Sequence, residues 1–335
     1  MTNPAGGQLL STLQVAGRKS LVLLSGRAYP QLAEQIAAEI GVTLTPTTAR
    51  DFANGETFIK PDESVRGTDA FVIQSFTSPI NEWVMESLIL VDALKRASAK
   101  RITVVMPFYP YARQDKKHRG REPISARLIA DLYKTAGADR LMAIDLHTAQ
   151  IQGFFDGPVD HLFALPLLAR YVREKYGADH ITVVSPDTGR VRVAEQWADE
   201  LGGRPIAFVH KTRDPNVANQ AVANRVVGDV DGRVCLLIDD MIDTGGSIVK
   251  AAELLFANGA TEVIIAATHG IFSGSATDNL KNCRVSEVIV TNSLPITPEK
   301  QFDKLTVLSI APLLARAIRE VFEDGSVTSL FQGRS

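Results

Sequence analysis

The sequence predicts an α/β protein made of two tandem domains, each built on a parallel sheet. Three observations carry that expectation. Short aliphatic and β-branched runs alternate with longer helical patterns along most of the chain, the order that builds βαβ units. A similar arrangement occurs twice, since residues 70–106 and 234–267 each run apolar strand, polar loop, helix, small-residue turn, strand. The length, 335 residues, suits about two cores of ordinary size.

The elements follow in order. Residues 1–18, rich in Gly, Thr, Ser and Gln, read as a loosely ordered lead. A buried strand at 21–24 precedes a helix at 29–40 that Gly41 ends. A strand at 70–74, a helix at 81–97 and a strand at 102–106 form the next unit, and 141–144 is a further strand. The second half begins with a strand at 181–184 and a helix at 191–201 closed by Gly202 and Gly203. A strand at 234–238, a helix at 246–257 stopped by Asn258 and Gly259, and a strand at 262–267 follow. The last helix spans 310–322. The seam is expected near 157–160, giving domains at 18–160 and 161–311, with 312–335 packing back on the first.

Composition narrows the function classes. A net charge of −2 argues against general binding to nucleic acid or to anionic membrane. No apolar run approaches the roughly 18 residues that span a bilayer, and the first twenty residues lack the pattern of an export signal. The expected protein is soluble and cytoplasmic. Cys235 and Cys283 share no metal or redox spacing, and Cys235 sits in an apolar run that suits a buried thiol.

The most specific segment is 234–247, Val-Cys-Leu-Leu-Ile-Asp-Asp-Met-Ile-Asp-Thr-Gly-Gly-Ser. An apolar strand ends in two carboxylates, and a small-residue loop then opens a helix. In parallel sheets ligands bind beyond the carboxyl ends of strands, where this loop lies. Thr244, Gly245, Gly246 and Ser247 let backbone N–H groups approach a phosphate at the positive end of the helix. Asp239 and Asp240 would face ribose hydroxyls or a metal-bound diphosphate. A solvated turn with acidic caps accounts for one Asp, but not for Asp239, Asp240 and Asp243 around a Gly-Gly loop. The segment resembles the ribosyl-phosphate loop of the type I phosphoribosyltransferase fold, found both in enzymes that use phosphoribosyl diphosphate and in those that make it.

Other segments separate those cases. Residues 109–123 follow a strand and carry Arg113, Lys116, Lys117, Arg119 and Arg121, cations suited to polyphosphate but equally to a basic surface loop. Their order, Tyr-Ala-Arg-Gln-Asp then Arg-Glu-Pro-Ile-Ser, resembles the ATP-side loop of ribose-phosphate diphosphokinases. Residues 51–57, Asp-Phe-Ala-Asn-Gly-Glu-Thr, mark only a turn by themselves. They resemble the segment of that family that meets the adenine of ATP held by a neighbouring subunit, with Phe52, Asn54, Gly55 and Glu56 matching. Residues 145–155 resemble its Asp-Leu-His-x-x-Gln-Ile-Gln-Gly-Phe-Phe motif, whose His, here His147, approaches the magnesium of MgATP. Residues 184–189 supply Asp187, a carboxylate suited to Mg2+. The family continues Gly-Gly where this chain has Gly189 and Arg190. Residues 208–216 lie between a strand and the next element and match a mobile catalytic loop, with Lys211 and Arg213 at its two cations and His210 and Thr212 departing.

The resemblance runs from about residue 20 to Phe331 and implies a pair of type I phosphoribosyltransferase-like domains. It implies transfer of the diphosphoryl group of MgATP to the 1-hydroxyl of ribose 5-phosphate, with Mg2+ as cofactor. In this assignment Lys211 and Arg213 are catalytic. Phe52, Asn54, Gly55, Glu56, Arg113 and Gln114 bind ATP, and His147 and Asp187 flank the metal. Asp239, Asp240, Asp243, Thr244, Gly245, Gly246 and Ser247 bind ribose 5-phosphate. A homo-oligomer, a hexamer, is implied, with inorganic phosphate and ADP as effectors at a site that Gln152, Asp160, Ser326, Thr328 and Phe331 match in part. The rival readings are a catalytically silent regulatory relative and a base-specific phosphoribosyltransferase.

Overall fold

The computed structural model describes residues 19–213 and 221–331, with backbone alone at 211–213 and 221–224. The lead expected at 1–18 lies outside the described residues. Two repeats follow one another. The first runs β1 (Leu21–Ser25), α1 (Pro30–Ile40), β2 (Thr47–Asp51), β3 (Thr57–Pro61), β4 (Asp69–Ile73), α2 (Ile80–Arg96), β5 (Arg101–Met106), α3 (Ser125–Ala136), β6 (Arg140–Ile144), β7 (Val159–Leu162) and α4 (Leu165–Tyr176). The second runs β8 (Ile181–Ser185), α5 (Val191–Glu200), β9 (Ile206–Arg213), β10 (Ala221–Val227), β11 (Val234–Ile242), α6 (Gly246–Ala257), β12 (Glu262–Gly270), α7 (Ala276–Asn282), β13 (Glu287–Thr291), β14 (Leu305–Leu308) and α8 (Ala311–Phe322).

The repeats match element for element. The first sheet is ordered β1-β4-β5-β6-β7, and the second contains the equivalent β8-β11-β12-β13-β14, parallel throughout. Each repeat inserts two antiparallel strands after its first helix. In the first repeat β2 and β3 form a separate ribbon. In the second, β9 joins β8 and carries β10 at the sheet edge. The last helix of each repeat packs on the first helix of the other, α4 on α5 and α8 on α1. The return of the C-terminal helix to the first half is therefore one arm of a mutual exchange.

The core explains why the strands read as unbroken apolar runs. Successive side chains point to opposite faces, and both faces of each sheet are covered. Leu23, Phe71, Val105 and Met142 share one buried cluster with Leu236, Ile238, Ile264, α1, α4, α5 and α8. Their strand neighbours Leu24, Val72, Val104 and Leu141 face α2 and α3 on the other side of the first sheet. Cys235, Leu237 and Val263 face α6 and α7 beyond the second. A continuous central cluster thus joins the two halves. Gly41 ends α1 in the left-handed conformation, at φ 84°, with its N–H donated to the Ala37 and Ala38 carbonyls.

Three boundaries differ from the sequence reading. The expected seam at 160 falls inside β7, which pairs with β6 as far as Leu162. The strand read at 234–238 continues to Ile242, because Asp239 and Met241 keep pairing with Ala267 and His269 of β12. The segment expected as a loop at 208–216 is β-strand up to Arg213, held by β10, and 214–216 lies outside the described residues. Among the described residues, no helix is long and apolar enough to cross a membrane.

Candidate active site

The carboxyl ends of both sheets converge. Loops after β4, β5, β11, β12 and β13 line a cleft of about 470 Å³ whose walls include Phe76, Tyr111, Arg113, Gln114, Asp243, Thr244, Ser273 and Lys300. This is the position that parallel sheets reserve for ligands. Here it lies between two sheets, so each half supplies one wall.

On the second half, β11 carries Asp239 and Asp240 to the end of the strand, and Asp243 to Gly245 turn into α6. Gly245 stands at φ 73°, a left-handed conformation that glycine adopts without a side-chain penalty. The first turn of α6 holds no acidic residue, so its N–H groups and dipole remain favourable to an anion. Thr244 and Ser247 are exposed beside them. Asp243 is tied across the cleft, with Arg113 Nη1 donating to its Oδ2 at 2.7 Å. Burial raises the Asp243 carboxyl, but bonds from Ser273 and Arg113 outweigh it and hold the group below the usual range.

On the first half, the loop after β5 is anchored at several points. Ser125 Oγ donates to Gln114 Oε1 at 2.6 Å, and Asp115 Oδ2 accepts from Thr148 Oγ1 at 2.9 Å and Gln150 Nε2 at 2.7 Å. The Arg113 loop and the His147 loop are thereby fastened together. Tyr111 and Asp145, at φ 59° and 39°, hold left-handed backbone that non-glycine residues rarely adopt. Asp145 is braced by Ala164 N–H at 3.0 Å and Thr268 Oγ1 at 2.6 Å.

His147 meets Asp240, whose own N–H donates to Asp239. His147 Nδ1 lies 2.8 Å from Asp240 Oδ2. Arg190 enters the same cluster, with Nε 3.0 Å from Asp239 Oδ1 and Nη2 2.7 Å from Asp240 Oδ1. Burial and the neighbouring Asp240 charge push the Asp239 carboxyl well above the ordinary carboxylate range. Burial acts on Asp240 too, but the His147 bond and the Arg190 charge prevail and hold it low. Asp187, on the turn after β8, accepts from Gly189 N–H at 2.9 Å.

Other expected residues stand apart. Phe52, Asn54, Gly55 and Glu56 form the exposed turn between β2 and β3, outside the cleft walls. Asn54 Oδ1 accepts from Glu56 N–H at 3.2 Å, and Arg50 lies 5.6 Å from the Phe52 ring. Lys211 and Arg213 lie on β9, opposite Asn224 and Ala221 of β10. Asp160 of β7 accepts from Arg140 at 2.8 Å, while Phe331 is buried edge-on against Phe163 at 5.4 Å. Ser326 and Thr328 are exposed nearby in sequence, and Gln152 Nε2 donates to the Ala149 carbonyl at 3.1 Å.

Sequence reasoning missed two parts of the site. Arg190 registered only as a departure in a turn, and its cation was not connected with the acidic pair. The cleft walls from Phe76, Ser273 and Lys300 carry no motif. Their signal was position alone, just beyond the carboxyl ends of β4, β12 and β13.

Comparison with known proteins shows the family. Residues 21–137 match the model of the N-terminal domain of ribose phosphate pyrophosphokinase, and 187–332 match the phosphoribosyl synthetase-associated domain. The chain is 65% identical to a ribose-phosphate pyrophosphokinase of Streptomyces coelicolor over 96% of its length and 99% of the relative's. It is 67% identical to that of Mycobacterium tuberculosis, covering 94% of this chain and 97% of the other. The crystal structure of phosphoribosylpyrophosphate synthetase from Mycobacterium smegmatis superposes with a TM-score of 0.88 at 64% identity, covering 92% of this chain and all of that one.

Proposed function

The chain belongs to the ribose-phosphate pyrophosphokinase family, and from that premise we infer how its residues divide the reaction. The protein is an ATP:ribose-5-phosphate diphosphotransferase. It moves the β,γ-diphosphoryl group of ATP to the 1-hydroxyl of ribose 5-phosphate, giving phosphoribosyl diphosphate and AMP for nucleotide biosynthesis. The supporting observation is the meeting of both halves at one cleft, where Arg113 of the ATP-side loop touches Asp243 of the phosphate loop.

Backbone N–H groups from Thr244 to Ser247, at the start of α6, hold the 5-phosphate. Asp239 and Asp240 accept from the ribose 2- and 3-hydroxyls. Arg113 and Gln114 hold the ATP phosphates, while the 52–56 turn of an adjacent subunit receives the adenine. The sugar 1-oxygen attacks the β-phosphorus, loses its proton, and the bond from that phosphorus to the α–β bridging oxygen breaks. Lys211 and Arg213 close over the reacting phosphates and offset charge growing on the bridging oxygen.

The donors at the metal position are the Asp187 carboxylate and the His147 imidazole. Among the described residues no three His, Cys, Asp or Glu side chains gather into a cage. Such a sparse donor set fits Mg2+ brought in by ATP, which keeps phosphate and water as most of its ligands. When bound, Mg2+ supplies Lewis-acid polarisation of the phosphoryl oxygens.

The adenine assignment requires a homo-oligomer, and a hexamer is proposed, working in the cytoplasm. Inorganic phosphate and ADP are its proposed effectors, acting near Gln152, Asp160, Ser326, Thr328 and Phe331. A silent regulatory homologue is disfavoured by the presence of Lys211 and Arg213, and a base-specific phosphoribosyltransferase leaves the Arg113 loop without a task. The test is incubation of pure protein with ribose 5-phosphate, MgATP and inorganic phosphate, with AMP and phosphoribosyl diphosphate measured together. Equal amounts of both, without any nucleobase, are expected. Binding of either substrate without product would favour the silent homologue.

A further inference from the structure

The guanidinium of Arg190 meets three of the residues assigned to the site. Its Nε lies 3.0 Å from Asp239 Oδ1, its Nη2 lies 2.7 Å from Asp240 Oδ1, and the same Nη2 is 3.0 Å from His147 Nδ1. A single Nδ1 cannot both donate to a carboxylate and accept from a guanidinium. The carboxylate contact is shorter, so the guanidinium is directed at the two aspartates. The side chain of Arg190 is only 16% exposed, and that of Asp240 6%. This is an enclosed pair of carboxylates bridged by one fixed cation.

The backbone gives Arg190 this reach without strain. Its φ is −112°, open to any residue, so the position has no requirement for glycine. Asp187 caps the turn by accepting from Gly189 N–H, which leads Arg190 into α5 with its side chain facing β11 and the His147 loop. Two adjacent enclosed carboxylates repel each other, and something positive must stand between them if both are to accept from a diol. Either a divalent ion or a side chain can fill that need. The contacts from Arg190, His147 and the Asp240 N–H, with the bond between the two carboxyl side chains, use most of the acceptor positions, and the remaining capacity suits two hydroxyl donors.

We propose that Arg190 is a positioning residue of the sugar site, a protein-borne cation that fixes Asp239 and Asp240 as acceptors for the ribose hydroxyls and makes sugar binding independent of a divalent ion. The proposal rests on the assignment of those two aspartates to the sugar. Arg190 also lies 3.0 Å from His147 of the ATP side, so the two substrates are read separately in the test.

The experiment is calorimetric titration of ribose 5-phosphate into the full-length protein without ATP, once with chelator and once with millimolar Mg2+. Wild type binds equally in both. Arg190→Gly binds about tenfold or more weakly in chelator, the loss of one charge-assisted contact, and recovers in Mg2+. Arg190→Lys, which keeps the charge, is intermediate in chelator. In turnover, Arg190→Gly raises the KM for ribose 5-phosphate in a Mg2+-dependent way and by a larger factor than the KM for ATP. If the glycine variant fails to fold by circular dichroism, Arg190→Gln replaces it with the same expectation. Wild-type binding that itself needs Mg2+, or a neutral variant that binds in chelator as well as or better than wild type, overturns the proposal. The double variant Asp239→Asn, Asp240→Asn separates the two layers. Undiminished sugar binding there would sink the assignment of the aspartates, whereas its loss alongside an indifferent Arg190→Gly would sink the role of Arg190 alone.

Discussion

Arg113 Nη1 and Asp243 Oδ2 are 2.7 Å apart although 130 residues separate them in the chain. The pair joins the loop after β5 of the first repeat to the loop between β11 and α6 of the second. Arg113 is half exposed, so this pair adds little to stability by itself. Its consequence follows from the proposed role of Arg113, in which an arriving polyphosphate draws it away from Asp243. Arg113→Ala should raise the KM for ATP about tenfold or more, through loss of a bidentate phosphate contact, with the KM for ribose 5-phosphate changed little. Initial rates with each substrate varied in turn decide it. Equal rises for both substrates would show that Arg113 organises the whole cleft and has no preference for ATP.

Lys211 stands near the end of β9, on a hairpin at the edge of the second sheet. If it meets the phosphates only as charge develops, its removal costs turnover and spares ground-state binding. Lys211→Ala should lower kcat by about a hundredfold to a thousandfold, the range for loss of one oxyanion-stabilising donor. Dissociation constants for ATP and ribose 5-phosphate should move by less than about threefold. Steady-state rates paired with calorimetry supply both numbers. Weakened binding at an unchanged kcat would assign Lys211 to substrate capture.

The parts of this fold that were legible share one physical cause. Strands such as β5 and β12 are covered on both faces, so nearly every residue is apolar and the run stands out. The β2/β3 ribbon is half solvated, and Thr47 to Asp51 offers no such run. β11 was cut short in the sequence reading because two carboxylates look like a loop, yet the parallel ladder with β12 continues past them. The candidate residues were singled out from local motifs. Their partners were not, since the contacts of Arg113 with Asp243 and of Arg190 with Asp239 and Asp240 depend on two sheets meeting. Arg190 was visible only as a missing glycine.

His269 links the two halves and gives the protein a pH signature. The ring is 1% exposed, its Nε2–H donates to the Ile144 carbonyl at 3.1 Å, and its Nδ1 accepts from Ser293 Oγ at 2.8 Å. Burial lowers its pKa from 6.5 to about 4. The unfolded chain takes up this proton at the ordinary value and the folded chain only near the lower one. The stability supplied by the neutral ring is therefore complete above about pH 6.5 and is lost as pH falls towards 4, up to about 3 kcal/mol. Asp145, pushed up to about 6 by burial, acts in the opposite sense and is common to wild type and variant. His269→Gln should be less stable than wild type near neutral pH, with the gap in urea midpoint closing at about pH 5. A gap that stays constant with pH would mean that the ring contributes by packing alone.

Phe52 is 47% exposed at the tip of the β2/β3 turn. Its ring lies edge-on to Phe58 at 6.5 Å and beside Arg50, which together hold it out from the sheet. The cleft of the same chain has no wall from this turn, and the proposed adenine role gives the turn to a neighbour's site. Phe52→Ala should raise the KM for ATP, and it should do so without altering the calorimetric affinity for ribose 5-phosphate. The intersubunit character has its own test. A Phe52→Ala chain lacks the adenine platform but keeps Lys211, while a Lys211→Ala chain is the reverse. Unfolded together and reassembled in equal amounts, about a quarter of the composite sites pair an intact turn with an intact catalytic lysine. Activity should therefore rise well above that of either variant alone, towards that fraction of wild type. Mixtures no more active than the sum of the separate variants would place the turn and the lysine in the same chain's site, and the adenine assignment would fail with it.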